Sequence, residues 1–250
     1  MLEYKSMSES TLRLSVVIPI YNERDNLHPL TAQTLKALSG QVPSFEIIYV
    51  DDGSTDGSAQ LLDQLARNHA EVRVFHFDRN YGQTAAFDAG FQQARGELVA
   101  TLDGDLQFDP RDILKLLPLA TQYELVCGWR RDRQDTIVKR LSSRIANFVR
   151  NAAIHDGVHD TGCSLKVFQR HVIERLPLFK GMHRFFPALA KIHGFSTTEV
   201  PVSHYNRAHG QSKYGIGNRL FSSLYDLIAV RWMQARCLRY IYRKDQHDLQ

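Results

Sequence analysis

The sequence predicts an α/β protein in which helices flank a central, mostly parallel β-sheet. Up to residue 102, four short apolar runs rich in branched side chains alternate with stretches of helical periodicity, a pattern typical of βαβ units. Three of these runs end in a turn with acidic side chains, and the carboxyl ends of parallel strands are where such sheets bind ligands. The chain has 250 residues, enough for one large domain with a full core.

The first half of the chain contains the clearest elements. We predict strands at 14–20, 45–50, 72–77 and 98–102, each a run of mainly apolar residues. Helices are predicted between them at 26–38, 55–68 and 83–94, where apolar residues recur at helical spacing. Gly40 and Gly96 follow the first and third of these helices and are typical of helix ends.

The alternation weakens beyond Asp105. Helices are predicted at 110–120, 139–154 and 220–233, and shorter strands at 125–127, 164–168 and 197–202. The helices at 139–154 and 220–233 combine an apolar stripe with basic neighbours. Such a helix either packs its stripe into the core or lies in a membrane interface with its cations on anionic headgroups, and we expect the second.

The composition indicates a soluble globular protein without a membrane span or a signal peptide. No stretch approaches the ~18 uninterrupted apolar residues of a transmembrane helix. The three cysteines, Cys127, Cys163 and Cys237, lie far apart and form no CxxC pair, so neither a disulfide framework nor a zinc site is expected. This cysteine usage favours a reducing cytoplasm.

The net charge of +4 is unevenly distributed. Residues 129–150 contain seven basic and two acidic side chains, and residues 231–244 contain five basic and no acidic ones. Blocks of this kind indicate an anionic partner, such as a phosphate, a nucleic acid or a membrane surface, or else a solvated basic helix face.

The turn after the fourth predicted strand carries the most informative chemistry. Asp103 and Asp105 flank Gly104, and Gln107 adds an amide oxygen two residues on. Carboxylates at this spacing can face one Mg²⁺ or Mn²⁺ ion, which prefers hard oxygen ligands, and they leave coordination positions for phosphate oxygens. Such a pair is weak evidence alone, but its place after a buried strand, beside two other acidic turns, makes it more specific.

The other two acidic turns are candidates for holding a nucleoside. Tyr21 can lie against a flat ring and Glu23 can accept a bond from a ribose hydroxyl, although Glu23 is also favourable near a helix N-terminus. In the second turn, Asp52 can accept the N–H of a uracil or a guanine, while Ser54 or Thr55 is expected to cap the following helix. The turn is not GxGxxG, so a dinucleotide site loses support.

Six motifs along the chain resemble the family 2 glycosyltransferases. The resemblance is strongest to the polyprenol-phosphate sugar synthases, the group of dolichyl-phosphate mannose synthase and its bacterial relatives. The motifs are VVIPIYNERDNL (16–27), YVDDGSTDGS (49–58), RNYGQTAAFDAG (79–90), LDGDLQFDP (102–110), DTGCSLKVFQR (160–170) and R-x-x-G-x-S-K-Y (207–214). The sequence departs from the family at Gly104, where Ala is common, and that change is expected to alter rigidity more than chemistry.

The resemblance implies a GT-A fold, which is Rossmann-like, and a role for particular residues. The nucleotide sugar would contact Pro19, Tyr21, Glu23, Val50, Asp52, Asp103, Gly104, Asp105 and Arg130. A Mg²⁺ or Mn²⁺ ion would be held by Asp103, Asp105 and Gln107. The acceptor phosphate would meet Arg207, Lys213, Lys166 and Asp160, and the catalytic residues would be Asp105, Arg130 and Lys213.

The implied reaction is metal-dependent, inverting transfer of a sugar from a UDP- or GDP-sugar to a polyprenyl phosphate at the cytoplasmic membrane face. We expect one catalytic domain, with a nucleotide-sugar half at 12–107, an acceptor half at 108–218 and an amphipathic, basic helix and tail at 219–250. The protein would be cytoplasmic and peripherally attached to the inner face of the membrane, with no nucleic-acid partner. A separate membrane protein partner and a homo-oligomer are left open.

Two alternatives belong to other functional classes. A glycosyltransferase could act on a hydroxyl of a glycan or lipid, but the Q-x-x-R-W motif of processive synthases fails here because Ile228 precedes Arg231 and Trp232. A catalytically silent nucleotide-sugar-binding protein is the other, and the intact pair Asp103 and Asp105 argues against it.

Overall fold

In this computed structural model the described residues are 12–131, 150, 151, 154, 157–206 and 216–238, with backbone alone at 216–223. Their strands form one sheet of seven with the order β3-β2-β1-β4-β6-β5-β7. The strands are β1 (Leu14–Ile20), β2 (Phe45–Asp51), β3 (Val72–His76), β4 (Leu98–Thr101), β5 (Leu125–Trp129), β6 (Lys166–Gln169) and β7 (Thr197–Pro201). The predicted α/β class with a mostly parallel sheet is therefore confirmed.

The described helices lie between these strands and after the last of them. They are α1 (Arg24–Leu38), α2 (Ser58–Asn68), α3 (Gln83–Gln93), α4 (Ile113–Leu116), α5 (Arg170–Ile173), α6 (Phe186–Ile192) and α7 (Ile216–Arg236). Short 3₁₀ turns cover Pro110–Asp112, Leu117–Thr121 and Met182–Phe185. None of the described helices is long and apolar enough to cross a bilayer.

Both faces of the sheet are covered, which explains why its first strands read as continuous apolar runs. Val16 and Ile18 point to the face covered by α1, α2 and α4, whereas Val17 points to the face covered by α3, α6 and α7. The second face is rich in aromatic rings, with Phe91 and Phe186 at 5.7 Å between ring centroids. The sheet is therefore supported by closely packed side chains on both of its faces.

Some predicted boundaries differ from the structure for local reasons. The predicted helix at 110–120 is broken into a 3₁₀ turn, a short α-helix and a second 3₁₀ turn, because Pro118 lacks the N–H that would continue the α-helical pattern. Helix α2 begins at Ser58 instead of residue 55, because Gly57 in front of it adopts φ of +90°. Most of the predicted helix at 139–154 lies outside the described residues, but Arg150, Asn151 and Ile154 are helical.

Strand β6 runs antiparallel to both of its neighbours. Its first residue, Lys166, pairs with Thr101, the last residue of β4. The segment that leads into β6, residues 157–165, therefore arrives at the same edge of the sheet as the carboxyl ends of β1, β2 and β4. This edge gathers the three acidic turns and one loop from the second half of the chain.

Candidate active site

The acidic turn after β4 lies at the centre of this edge. Asp105 is buried and accepts a hydrogen bond from the backbone N–H of Gln107 at 3.2 Å, while Asp103 is partly buried. The side-chain amide of Gln83, the first residue of α3, donates to Asp103 at 2.8 Å. Leu106 adopts φ of +60°, an uncommon conformation for a branched residue that costs about 1–2 kcal/mol and occurs mostly at functional turns.

The electrostatics of this turn fit a divalent cation. Burial and the neighbouring charge of Asp105 raise the pKa of Asp103 to about 6, while Lys166 and Arg130 act in the opposite direction. Two carboxylates that repel each other would be relieved by a bound cation. Within the described residues there is no cluster of three or more His, Cys, Asp or Glu side chains suited to a metal. Asp103 and Asp105 would thus need further oxygen ligands, and phosphate oxygens can supply them.

Gln107 connects the acidic turn to the segment that follows β7. Its side-chain nitrogen donates to the carbonyl of Tyr205 at 3.3 Å, and its own carbonyl accepts from the N–H of Tyr205 at 2.9 Å. Because the nitrogen end of the amide makes this bond, the oxygen end is the one that a cation would contact. The role of Gln107 as a metal ligand stays a prediction, and the orientation of its amide is compatible with that role.

Gly104 lies tightly against the end of β1. A methyl group at this position would come within 2.5 Å of Cδ1 of Ile20, 3.4 Å of the Pro19 carbonyl and 3.7 Å of Cγ of Glu23. The first contact involves the flexible end of a side chain, so Ile20 must shift to admit an alanine. Glu23 also lies beside the acidic turn, as the predicted nucleotide-sugar site requires.

The first and second acidic turns are joined by hydrogen bonds. The hydroxyl of Ser54 accepts from the N–H of Asn22 at 2.9 Å, and the side chain of Asn22 accepts from the N–H of Thr55 at 2.7 Å. The prediction that Ser54 or Thr55 caps α2 was wrong, because the residue before α2 is Gly57 and no side chain caps it. The two turns instead form one unit, in which Pro19 and Val50 are paired neighbours.

Asp52 binds the loop at residues 80–82, which lies in the motif at 79–90 and which the sequence did not indicate as part of the site. Its carboxylate accepts from the N–H groups of Tyr81 at 2.6 Å and Gly82 at 2.9 Å, and from the side-chain amide of Asn80 at 2.9 Å. Burial raises the pKa of Asp52 above its usual value despite these two backbone bonds. The contact between Asp52 and a nucleobase stays a prediction. The nucleobase would bond to the carboxylate lone pairs that these three donors leave available.

Two cations from the second half of the chain act on the acidic turn. Arg130, just after β5, makes a bidentate ion pair with Asp160, with Nε–Oδ2 at 2.7 Å and Nη2–Oδ1 at 2.8 Å. Lys166 is only 2% exposed, and its ammonium donates to the backbone carbonyls of Cys163 and Thr161. Both lower the pKa of Asp103, so both are electrostatically close to the acidic turn.

These bonds weaken two sequence-based assignments. Asp160 carries negative charge and is buried against Arg130, and Lys166 is buried beneath the loop that it supports. Direct contact of either with an acceptor phosphate stays a prediction that the geometry does not favour. Arg207 and Lys213 lie outside the described residues. The segment before them is anchored where Asp112 accepts from the N–H of Ser203 at 2.6 Å.

The comparisons with known proteins agree with this arrangement. A sequence profile described as glycosyl transferase family 2 matches residues 15–176. The chain is 38% identical over 226 residues to a dodecaprenyl-phosphate galacturonate synthase of Rhizobium johnstonii, covering 88% of this chain and 67% of the relative. It is 42% identical over 217 residues to an undecaprenyl-phosphate 4-deoxy-4-formamido-L-arabinose transferase of Pseudomonas aeruginosa, covering 86% of this chain and 64% of the relative.

A solved structure supports the fold. Glucosyl-3-phosphoglycerate synthase of Mycobacterium tuberculosis, in complex with Mn²⁺, UDP and phosphoglyceric acid, superposes with a TM-score of 0.66 at 17% identity, covering 92% of this chain and 81% of that protein. The predicted GT-A fold is confirmed. The chain spans about two thirds of the length of the two curated relatives. With the motifs, the arrangement of the acidic turns and both kinds of comparison in agreement, the chain belongs to the family 2 glycosyltransferases.

Proposed function

We propose that the protein moves a sugar from a UDP- or GDP-sugar to the phosphate of a polyprenyl lipid. The observation that carries this proposal is the acidic turn Asp103–Asp105 at the carboxyl edge of the sheet, with Arg130 and Lys166 acting on it electrostatically. Anionic and cationic groups in one site suit a substrate that binds as a cation–diphosphate complex. The acceptor class is supported by the two relatives above, a dodecaprenyl-phosphate galacturonate synthase and an undecaprenyl-phosphate sugar transferase.

A Mg²⁺ or Mn²⁺ ion would be held by Asp103, Asp105 and the amide oxygen of Gln107. When bound, such an ion neutralises charge on the diphosphate that departs. The protein contributes fixed positions: Gln83 orients Asp103, the Tyr205 carbonyl orients Gln107, and the Asp105 carboxylate is bonded within its own turn. Groups held in advance in this way need little reorganisation during the reaction.

The acceptor does not require a general base. A phosphate monoester has a second pKa of about 6 and is therefore largely dianionic at neutral pH. His183, on the α3 side of the site, is unsuited to this work because burial lowers its pKa to about 3 and it bonds to Thr84 at 2.7 Å. Cationic side chains are needed instead, and Arg130, with Arg207 and Lys213, would position the acceptor and stabilise the leaving group. A single displacement of this kind inverts the anomeric carbon.

Helix α7 would bring this site to the lipid. Its inner face packs into the core through Leu227 and Val230, whereas Leu224, Ile228 and Trp232 are 51%, 62% and 65% exposed at successive helical turns. We infer that this outer face lies in the interface of an anionic membrane, because basic residues adjoin it and the sequence pI is about 9.0. One side of the helix predicted at 220–233 therefore packs into the core, and the other side would contact the cytoplasmic face of the membrane.

The proposal is tested with purified protein, Mn²⁺, and a panel of radiolabelled UDP- and GDP-sugars. Each donor is offered with undecaprenyl phosphate and, separately, with free undecaprenol. We expect transfer to the phosphate alone, with the anomeric configuration of the product opposite to that of the donor. We also expect that Asp105→Asn transfers no sugar. Transfer to the alcohol or to a glycan would support the hydroxyl-acceptor alternative, and full activity in the presence of a chelator would remove the metal from the proposal.

A further inference from the structure

We infer that Asp160 and Glu199 are positioning residues that hold Arg130 at the transfer site. The inference rests on the proposed function, in which Arg130 faces phosphate groups, and it gives the two carboxylates a role different from contact with the acceptor. Two layers of hydrogen bonds lead from the sheet outward to the guanidinium of Arg130, which forms the third layer.

The first layer is the carboxylate of Glu199 on β7. It accepts from two consecutive backbone N–H groups, His159 at 3.0 Å and Asp160 at 3.2 Å, and it also bonds to Nδ1 of His159 at 2.8 Å. The imidazole of His159 stacks on Trp129, with 4.7 Å between ring centroids. A strand residue thus fixes the backbone of the loop at the position from which the Asp160 side chain departs.

The second layer is the carboxylate of Asp160, which is buried and accepts from both Nε and Nη2 of Arg130. It also accepts from the backbone N–H of Arg130 at 3.3 Å. A bidentate pair fixes the plane of the guanidinium as well as its position. Gly162 permits the close fit, because a methyl group there would lie 3.0 Å from Nη2.

The third layer is the guanidinium itself. Its central carbon lies 5.9 Å from the ring centroid of Phe108, which follows the acidic turn. Among the described residues, no hydrogen bond involves Nη1 of Arg130. With Nε and Nη2 committed to Asp160, Nη1 is the nitrogen that remains to bind a phosphate oxygen.

The charges also argue against Asp160 as a phosphate ligand. A carboxylate and a phosphate in direct contact repel each other, because both carry negative charge. A carboxylate paired with an arginine instead keeps that arginine charged and in place without meeting the phosphate. Contact with the phosphate and positioning of Arg130 can therefore be distinguished by experiment.

The test is a double-mutant cycle on Arg130→Ala and Asp160→Asn, with kcat and both KM values measured for each protein. We expect Asp160→Asn to reduce kcat/KM about 10- to 100-fold, the range for residues that orient a ligand-binding side chain. In the Arg130→Ala background the same change should cost less than about twofold, because the group through which it acts is gone. Equal losses in both backgrounds would overturn the inference.

Glu199→Gln provides a second, milder variant, since Gln retains an oxygen that accepts from the loop. It should lower kcat/KM when Arg130 is present and have no further effect once Arg130 is removed. The exposed Glu174→Gln serves as a control that should leave kcat/KM unchanged in both backgrounds. Thermal unfolding of every variant shows whether it is folded. If Asp160→Asn does not fold, the Glu199 cycle decides alone, and an additive result there rejects the inference.

Failure of the proposed function is recognised separately. If the wild-type protein transfers no sugar to polyprenyl phosphate, the same cycle is run on the binding of UDP or GDP with Mn²⁺ by calorimetry. Non-additive losses in affinity would then uphold the positioning role without the proposed acceptor. If Arg130→Ala leaves both transfer and nucleotide binding unchanged, the role assigned to Arg130 is wrong, and the inference falls with it.

Discussion

The side-chain amide of Gln83 donates a 2.8 Å hydrogen bond to the carboxylate of Asp103. The start of α3 and the turn after β4 therefore meet, and the Gln83 side chain helps to fix one carboxylate of the proposed metal site. Gln83 belongs to one of the family-like motifs, yet its spacing from Asp103 in sequence gave no indication of the contact.

Replacing Gln83 should weaken the proposed site without unfolding the protein. We expect Gln83→Ala to reduce kcat/KM about tenfold, the consequence of losing a hydrogen bond to a charged group. Gln83→Glu should cost more, because a further negative charge would face Asp103. Steady-state kinetics over a range of Mn²⁺ concentrations would measure both, with Gln93→Ala in the last turn of α3 as control. Unchanged Mn²⁺ dependence in Gln83→Glu would contradict the assigned contact.

Gly53 should be intolerant of any side chain. It adopts φ of +71°, and a methyl group there would lie 2.3 Å from the backbone carbon of Arg79, which cannot move aside as a side chain can. We expect Gly53→Ala to lower the free energy of unfolding by more than the roughly 1 kcal/mol of the left-handed conformation alone. Gly40→Ala isolates that conformational cost, since Gly40 has φ of +74° and nothing within 4 Å. Equal destabilisation in urea unfolding would refute the steric explanation.

The stability of the second acidic turn should depend on pH through His76. Burial alone lowers the pKa of His76, but bonds to Asp51 at 2.9 Å and Asp63 at 3.1 Å raise it above the usual value on balance. This contribution to stability is fully present below the unfolded pKa of about 6.5 and is lost as pH rises through the higher folded value. The difference in unfolding free energy between wild type and His76→Gln should therefore be largest near pH 6 and shrink by pH 9. A difference that grows with pH would show that the ion pairs do not stabilise the fold.

The outer face of α7 should bind vesicles. We expect Ile228→Ser with Trp232→Ser to reduce binding to anionic liposomes at least tenfold while leaving thermal stability almost unchanged, because both side chains are largely exposed. Flotation with vesicles rich in anionic lipid, at low and at high salt, would measure this, and Ala235→Ser on the same helix is the matched control. Failure of the wild-type protein to bind even at low salt would contradict the proposed membrane contact.

The first half of the fold could be predicted from sequence because its signals are local. Apolar runs locate β1 to β4, and the acidic turns follow them directly. The second half depends on contacts between distant segments: nothing near Lys166 reveals that β6 runs antiparallel or that its ammonium is buried. Helices α5 and α6 were not predicted, since α5 has only four residues and Pro187 and paired phenylalanines obscure the periodicity of α6.

The site was predicted less completely than the fold for the same reason. Asp103 and Asp105 are only two positions apart in the sequence, so their closeness could be predicted. Asp160 was assigned to the acceptor from the family resemblance, and its bond to Arg130 was not visible in the sequence because the two residues are thirty positions apart. A charged residue alone does not reveal whether it meets a substrate or another residue, and that decision depends on tertiary structure.

The place of β6 between β4 and β5 has a consequence for the order in which the protein folds during synthesis. Both neighbours leave the ribosome before Lys166–Gln169, so β4 must wait with one edge unpaired and β5 without its antiparallel partner. The nascent chain can assemble β1 to β3 early, because each pairing joins segments close in sequence. The edge of the sheet that carries the acidic turn is thus incomplete until residues 166–169 have been made, and a chain interrupted before residue 166 would expose the unpaired edge of β4, a template for pairing with other chains.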